Sequence, residues 1–109
     1  MSLLHPTTGD LWDRYLVLTM KIHYGKAAGL NVSHFKDEQA EVAVVLFDRK
    51  QSQTPAILGL SAELADVHDA IWPLTKTSPP ELLRLNARRT EIREEIDKLT
   101  GEFRGPEKV

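Results

Sequence analysis

Four arginines lie close together in the last third of the sequence, and their side chains are suited to bind an anion. These are Arg84, Arg88, Arg89 and Arg93. A guanidinium group holds a carboxylate or a phosphate through two parallel hydrogen bonds. Arg89 stands in an otherwise apolar seam, so something must neutralise it. One expectation is an internal acid, Asp66 or Asp69, or an acid from another copy of the chain. The other is an anion site that Arg89 forms with Arg93 or Asn86.

Pairs of acidic residues three positions apart are a second candidate for chemistry. The pairs are Glu38 with Glu41, Glu63 with Asp66, and Glu94 with Asp97. Two such pairs that face each other from different helices can hold Mg²⁺ through oxygen ligands. This spacing resembles the all-α nucleoside triphosphate pyrophosphohydrolases, and the resemblance implies a magnesium site at Glu38, Glu41, Glu63 and Asp66. The simpler interpretation is that these are solvated helix faces with ion pairs such as Glu94 with Lys98.

Histidines and small nucleophiles give weaker signals. The histidines are spread along the chain at His5, His23, His34 and His68, and this spacing does not predict a zinc site. At the end of the first predicted helix, Lys21, His23, Tyr24 and Lys26 form a polar cluster. These residues can stabilise the helix terminus, and we take Lys21, His23 and Tyr24 as further candidates for binding an anion. No serine lies in a Gly-x-Ser-x-Gly pattern, and the sequence has no cysteine.

Helical periodicity places these residues on helices in the first half of the chain. Apolar residues at spacings of three and four predict a first helix over about residues 8–24, after a capping pair formed by Thr7 and Asp10. Residues 33–50 are predicted to form a second helix. The β-branched run 42–47 would also suit a buried strand, but no second strand-like run exists for it to pair with.

The second half of the chain contains two further predicted helices. Residues 51–60 have the composition of a connector, and Ser61 is expected to cap a third helix that Pro73 ends. Ser78–Glu81 has the pattern of a capping box with proline at the first helical position. Gly101 is expected to end this last helix. The sequence therefore predicts an all-α bundle of about four helices with a long C-terminal helix, in one domain over residues 1–109.

The last helix carries a seam of residues at alternating spacings of three and four, with one charge set into it. The seam consists of Leu82, Leu85, Arg89, Ile92, Ile96, Leu99 and Phe103. A helix of about 22 residues spans about 33 Å, which is more than a compact domain of this size needs to cover. We therefore expect self-association into a homo-oligomer through this seam and the broad apolar stripe of the first helix. The ends, residues 1–7 and 104–109, are expected to be flexible.

Composition excludes several classes of function. The chain has 109 residues, with 14 Lys and Arg against 16 Asp and Glu, and a formal net charge of −2. A dedicated nucleic-acid-binding domain shows a basic surplus instead. The longest apolar run, Val42–Phe47, is far shorter than the roughly 20 residues of a membrane span. We expect a cytoplasmic protein with neither nucleic acid nor membrane as a partner.

Two parts of the chain resemble a small uncharacterised family of bacterial and phage proteins, some of them encoded near surface-polysaccharide genes. The first part is Gly9-Asp10-Leu11-Trp12-Asp13-Arg14 followed by residues 16–22. The second comprises residues 64–72, then Asn86-Ala87-Arg88-Arg89-Thr90-Glu91-Ile92-Arg93, Ile96-Asp97, Gly101 and Glu107-Lys108. About half of the chain is covered. The resemblance implies a helical domain and implies no reaction.

These observations favour a non-enzymatic, oligomeric binding module over an enzyme. In its more specific form, the module captures a small anionic ligand, such as a nucleotide, at interfaces between subunits. Small phage proteins that sequester signalling nucleotides are similar in size, helicity and arginine content. No cofactor is expected in this function. The alternative is a Mg²⁺-dependent hydrolase similar to the all-α pyrophosphohydrolases, in which the paired acids hold the metal.

Overall fold

The computed structural model describes residues 6–49, 53–72 and 79–102, and this part of the chain folds into four helices. They are α1 (Thr8–Ala27), α2 (Ser33–Asp48), α3 (Pro55–Ile71) and α4 (Pro79–Thr100). Helix α1 packs against all three others, α3 and α4 pack against each other, and α2 packs mainly on α1. The described residues include no strand. The all-α fold with a long C-terminal helix is confirmed, and the ambiguous run 42–47 is helical.

The hydrophobic core lies where α1 meets the other helices. Its buried members come from every helix: Leu11, Trp12, Leu46, Ile57, Leu64, Val67, Ile71, Leu85, Ile92 and Ile96. The seam of α4 is therefore largely buried within its own chain, and so is the apolar stripe of α1. Leu99 is the exception with 53% exposure, and Phe103 lies outside the described residues. The surplus apolar seam from which we inferred a homo-oligomer is thus mostly accounted for within one chain, and self-association stays a prediction.

The helix ends agree with the sequence at two of the predicted caps. Thr7 Oγ1 accepts a hydrogen bond from Asp10 N at 3.1 Å, and it caps α1 as expected. Thr7 is buried, so the lead-in that we expected to be flexible is ordered at this residue. Gly101 has φ +77°, and beyond it Glu102 N donates to Asp97 O at 2.7 Å. Glycine tolerates this left-handed conformation, which closes α4 as predicted.

The predicted start of α3 is wrong. The helix begins at Pro55, and Thr54 Oγ1 accepts a hydrogen bond from Ile57 N at 3.3 Å. Proline fits the first turn because backbone N–H groups there have no acceptor within the helix, so the absence of an N–H on proline breaks no hydrogen bond. Ser61 lies buried inside the helix, where its hydroxyl donates to Leu58 O at 2.9 Å. Pro73, which we expected to end this helix, and Ser78, which we expected to cap the last one, lie outside the described residues.

The N-terminus of α1 meets the C-terminal part of α4 at very short range. Thr8 N donates to Glu102 Oε1 at 2.9 Å, and Gly9 N donates to Asp97 Oδ1 at 2.8 Å. Two carboxylates of the α4 end therefore satisfy backbone donors that a helix N-terminus leaves unpaired. A Cβ atom at Gly9 would overlap the carbonyl oxygen of Arg93 and lie 2.7 Å from Asp97 Oδ1. This close approach places the acidic residues of α1 opposite the arginines of α4.

Candidate functional site

A buried carboxylate at the meeting point of α1, α3 and α4 organises the polar interior. The Asp13 side chain, only 6% exposed, extends from α1 between the two other helices. Its Oδ1 atom lies 2.8 Å from His68 Nε2 of α3. Arg89 of α4 donates twice, from Nε to Oδ1 at 2.9 Å and from Nη2 to Oδ2 at 2.7 Å. We call Asp13, His68, Arg89 and the neighbouring Arg93 the Asp13 cluster.

The Asp13 carboxylate is ionised because its partners outweigh the cost of burial. Burial alone would raise the pKa of Asp13, but hydrogen bonds from His68 and Arg89 lower it to about 2. Hydrogen bonding to Asp13 also raises the pKa of Arg89 above its ordinary value. An ionised carboxylate only accepts hydrogen bonds, so Nε2 of His68 carries the proton of their shared contact. Asp13 and Arg89 therefore form a charged, bidentate pair across the α1–α4 contact.

His68 has one ring nitrogen without a partner. The residue is 1% exposed, and its Nδ1 atom is buried and makes no hydrogen bond. An imidazole held by a carboxylate on one side is a common arrangement in general bases. Here the other ring nitrogen is enclosed by the core, so it does not face solvent where a substrate would arrive. The contact with Asp13 fixes α3 against α1.

Arg93 is the least satisfied member of the cluster. Its Nη1 atom lies 3.9 Å from Asp10 Oδ1 and 3.7 Å from Asp13 Oδ2, beyond hydrogen-bonding distance from both. The Nε atom is buried and has no hydrogen-bond partner, while the side chain as a whole is 32% exposed. Next to it, Arg89 Nη1 makes only a long contact of 3.5 Å with Asn86 Oδ1. These N–H groups of the two arginines therefore make no short hydrogen bond within the protein.

The structure places the predicted arginines in two groups. Arg89 and Arg93 come together with Asn86 on one face of α4, as the anion-site expectation requires. Arg88 instead pairs with Glu63 of α3 and, on its own helix, with Glu91 at 3.2 Å. Three carboxylates surround it, since Glu95 lies 3.6 Å away. Arg88 is therefore engaged in a surface ion-pair network and does not join the Asp13 cluster.

The acid that neutralises Arg89 is internal, but it is not one of the two that we expected. Asp66 and Asp69 are both exposed on α3, whereas Asp13 of α1 makes the bidentate pair. Sequence reasoning also missed the role of His68. One signal was present for Asp13, which lies next to Trp12 and three residues before Leu16 in the apolar stripe of α1. An acidic residue within an apolar stripe becomes buried on folding, so it needs a partner for its charge just as Arg89 does within the seam of α4.

The predicted cluster of Lys21, His23 and Tyr24 is divided between different sides of α1. The Lys21 ammonium lies over the ring of Phe35 in α2, 5.4 Å from its centroid. Tyr24 stacks on Trp72, just after α3, with ring centroids 5.7 Å apart, and the His23 ring meets Tyr24 edge-on. These residues lie two or more helical turns beyond Asp13, at least about 12 Å along the axis. They do not contribute to the Asp13 cluster.

The paired acids of the alternative magnesium site are not brought together. Glu38 of α2 is bound by Arg14, whose Nε donates to it at 2.7 Å. Glu63 of α3 is bound by Arg88 of α4. In the described ranges, no group of three or more Asp, Glu or His side chains could hold a metal ion. Likewise, none of the helices described is long and apolar enough to cross a bilayer.

The fold and the site define a small all-α protein in which α1, α3 and α4 meet at a buried carboxylate held by a histidine and an arginine. No family model matches the chain, and neither do any of the curated proteins or solved structures.

Proposed function

We propose that the protein is a non-enzymatic binding module that captures a small anion at Arg93, with Arg89 and Asn86 beside it. The observation that carries the proposal is the state of the Arg93 guanidinium. It is one-third exposed, has a buried Nε without a partner, and lies just beyond hydrogen-bonding distance of two carboxylates. A phosphate or carboxylate group of a ligand would supply acceptors to the exposed part of this guanidinium, while the buried Nε stays out of its reach.

The Asp13 cluster supports such a site by holding Arg89 in place. Two of the Arg89 nitrogens are fixed on the Asp13 carboxylate, which leaves Nη1 directed toward Asn86. Positions 86, 89 and 93 follow spacings of three and four, so they share one face of α4. A guanidinium that is already held in one conformation loses less entropy when it binds a ligand. The buried pair therefore preorganises the exposed donors.

The acids around the site set a limit on affinity. Asp10, about half exposed, lies 3.9 Å from Arg93 and would compete with a ligand anion. Replacing Asp10 by Asn removes this competing charge, so we expect binding to become tighter. Because Asp10 lies in the first turn of α1, its loss should also lower stability by about 0.3–1 kcal/mol. Tighter binding in a less stable variant is a result that a general structural defect would not give.

A thermal-shift panel followed by calorimetric titration tests the proposal. The probes are inorganic phosphate, diphosphate and nucleotides, each with EDTA and then with Mg²⁺. We expect a melting temperature that rises with ligand concentration and needs no metal. Arg93→Gln should weaken binding by about 1.5–3 kcal/mol, the range for hydrogen bonds to charged groups. Arg84→Gln is the matched control, since Arg84 lies on the same helix, 69% exposed, and pairs with Glu81.

Two outcomes would overturn the proposal. One is that none of the probes raises the melting temperature. The other is that Arg93→Gln and Arg84→Gln weaken binding equally, which would indicate an effect of net charge alone. Turnover of a nucleotide with Mg²⁺ would instead favour the hydrolase alternative, for which the structure offers no specific support. Whether a nucleotide is held between two copies of the chain is tested by light scattering with and without it.

A further inference from the structure

Helix α2 is covered less by its own chain than the other three helices are. All of α2 lies within the described part of the chain, and of its residues only Leu46 is buried. The helix packs mainly on α1, yet it contains the longest apolar run of the sequence, Val42–Phe47. Successive residues of a helix point in different directions. A helix that is covered on one side must therefore expose part of such a run.

Polar contacts with α1 fix which side of α2 faces inward. Glu38 accepts a hydrogen bond from Arg14 Nε at 2.7 Å, and Gln39 donates to Tyr15 O at 3.1 Å. The buried Leu46, seven residues after Gln39, lies on the same side of the helix. The opposite side of α2 therefore points away from the bundle.

Two rows of side chains run along this outward side. The first row is apolar and consists of Ala40, Val44 and Phe47, at spacings of four and three. The second row is acidic and consists of Asp37, Glu41 and Asp48, at spacings of four and seven. All six residues are exposed. Val44 is 72% exposed, and Phe47 is 39% exposed although its ring also meets Trp12 of α1 edge-on. We call these six residues the α2 face.

The acids of the α2 face have no cation beside them. On the inward side Glu38 is held by Arg14, but none of the salt bridges among the described residues involves Asp37, Glu41 or Asp48. The acidic row extends over 11 residues, about 17 Å along the helix axis. An unneutralised row of this length creates a negative potential directly beside the exposed apolar row.

We propose that the α2 face binds a basic amphipathic helix of another protein. The apolar row supplies the contact area that such a helix buries when it lies against a partner. The acidic row selects a helix whose lysines or arginines follow one flank of its apolar stripe, because complementary charge steers the encounter and fixes the register. Since the two rows extend over about 17 Å, the bound segment has about 12 residues or more.

A second copy of α2 lacks the charge that this face requires. When two identical helices pair in an antiparallel manner about a twofold axis, each flank of one helix meets the same flank of the other. The acidic row would then face another acidic row, and like charges repel each other. A basic partner replaces this repulsion by attraction. None of the residues of the α2 face belongs to the Asp13 cluster, so the proposal does not depend on anion binding at Arg93.

Titration of the full chain with synthetic helical peptides tests the proposal. The probe is a peptide of about 18 residues, long enough to form a helix, with leucines at spacings of three and four and a row of lysines beside them. Its control carries glutamates in place of the lysines. Fluorescence anisotropy should show that the lysine peptide binds at least about tenfold tighter, and the difference should fall as ionic strength rises. In NMR spectra, the largest shifts are expected for the amides of Ala40, Val44 and Asp48.

Matched variants assign the binding to the α2 face. Glu41→Gln/Asp48→Asn should weaken binding of the lysine peptide by about tenfold or more. Asp66→Asn/Asp69→Asn changes the net charge by the same amount at exposed acids of α3, and it should leave the affinity unchanged. Val44→Ser should weaken binding by about fivefold without lowering the melting temperature, because this side chain is exposed in the free protein.

The control for Val44→Ser is Leu83→Ser, since Leu83 of α4 is 75% exposed and lies outside the α2 face. The proposal is overturned if the parent does not bind the lysine peptide or binds both peptides equally. Equal weakening by the two double variants also overturns it, because then only net charge matters. A parent dimer in light scattering that Val44→Ser dissociates would show instead that a second copy covers the face.

Discussion

Replacing Arg89 by Leu probes the pair that holds α1 against α4. The substitution completes the apolar seam but leaves the Asp13 carboxylate, 6% exposed, with His68 as its remaining hydrogen-bond partner and Arg93 at 3.7 Å. The fall of the Asp13 pKa from 3.8 to about 2 corresponds to about 2–3 kcal/mol of net stabilisation of the ionised form. Breaking a buried pair costs about 3–5 kcal/mol. Arg89 is partly exposed and Leu restores apolar contact, so we expect a loss of about 3 kcal/mol.

Urea denaturation followed by circular dichroism measures this loss. Arg84→Leu is the control on the same helix, and its change in the free energy of unfolding should stay within about 0.5 kcal/mol. In a double-mutant cycle, Asp13→Asn combined with Arg89→Leu should cost less than the two single losses together, because the two residues interact. An Arg89→Leu protein as stable as the parent would refute the reasoning. It would mean that Asp13 does not depend on Arg89 for its charge.

Three further predictions concern the pH dependence of the Asp13 pair, two glycines and the Thr54 cap. The stability advantage of the parent over Arg89→Leu should be complete above about pH 4 and shrink as the pH falls toward about 2. The reason is that the pKa of Asp13 is lowered in the folded state, so the carboxylate becomes protonated near pH 2 and loses its pairing with Arg89. Urea midpoints across this pH range measure the change. Gly9→Ala should lower the free energy of unfolding by about 1–3 kcal/mol, because the added Cβ overlaps α4. Gly59→Ala, in an open part of α3, should instead raise it by about 0.5–1 kcal/mol in the same urea assay. Thr54→Ala should cost about 1 kcal/mol, and thermal melts of this variant that match the parent would place the start of α3 elsewhere.

The helices could be predicted from the sequence wherever caps and apolar periodicity agree. The Thr7 cap and the Gly101 terminus are local features, and each lies where the sequence places it. The start of α3 was missed because Pro55 and Gly59 resemble a connector by composition. Thr54 followed by proline is itself a pattern typical of a helix start. Gly59 lies on an exposed face of α3, where no neighbouring atom would contact a larger side chain. In this case a local capping pattern was more informative than composition.

The site was harder to predict because its contacts depend on how three helices are rotated about their axes. The seam showed that Arg89 needs a partner, but it did not distinguish Asp13 from Asp66 or Asp69. In the same way, Lys21 and Tyr24 are close in sequence, but Lys21 lies over Phe35 of α2 and Tyr24 stacks on Trp72 just after α3. Periodicity gives the face of one helix at a time. The choice between candidate partners is made only when the faces are assembled.

Asp13 explains much of that assembly. A single carboxylate that accepts hydrogen bonds from α3 and α4 fixes the rotation of both helices about α1, because a bidentate pair and an imidazole contact tolerate little displacement. Apolar side chains alone would allow several nearly equivalent packings. Once Arg89 is fixed, Arg93 one turn further along α4 must lie beside Asp10, at the level where Gly9 allows the closest approach. The exposed donors of the proposed anion site are therefore a consequence of the buried pair, and the stability of the bundle and the placement of these donors depend on the same residue.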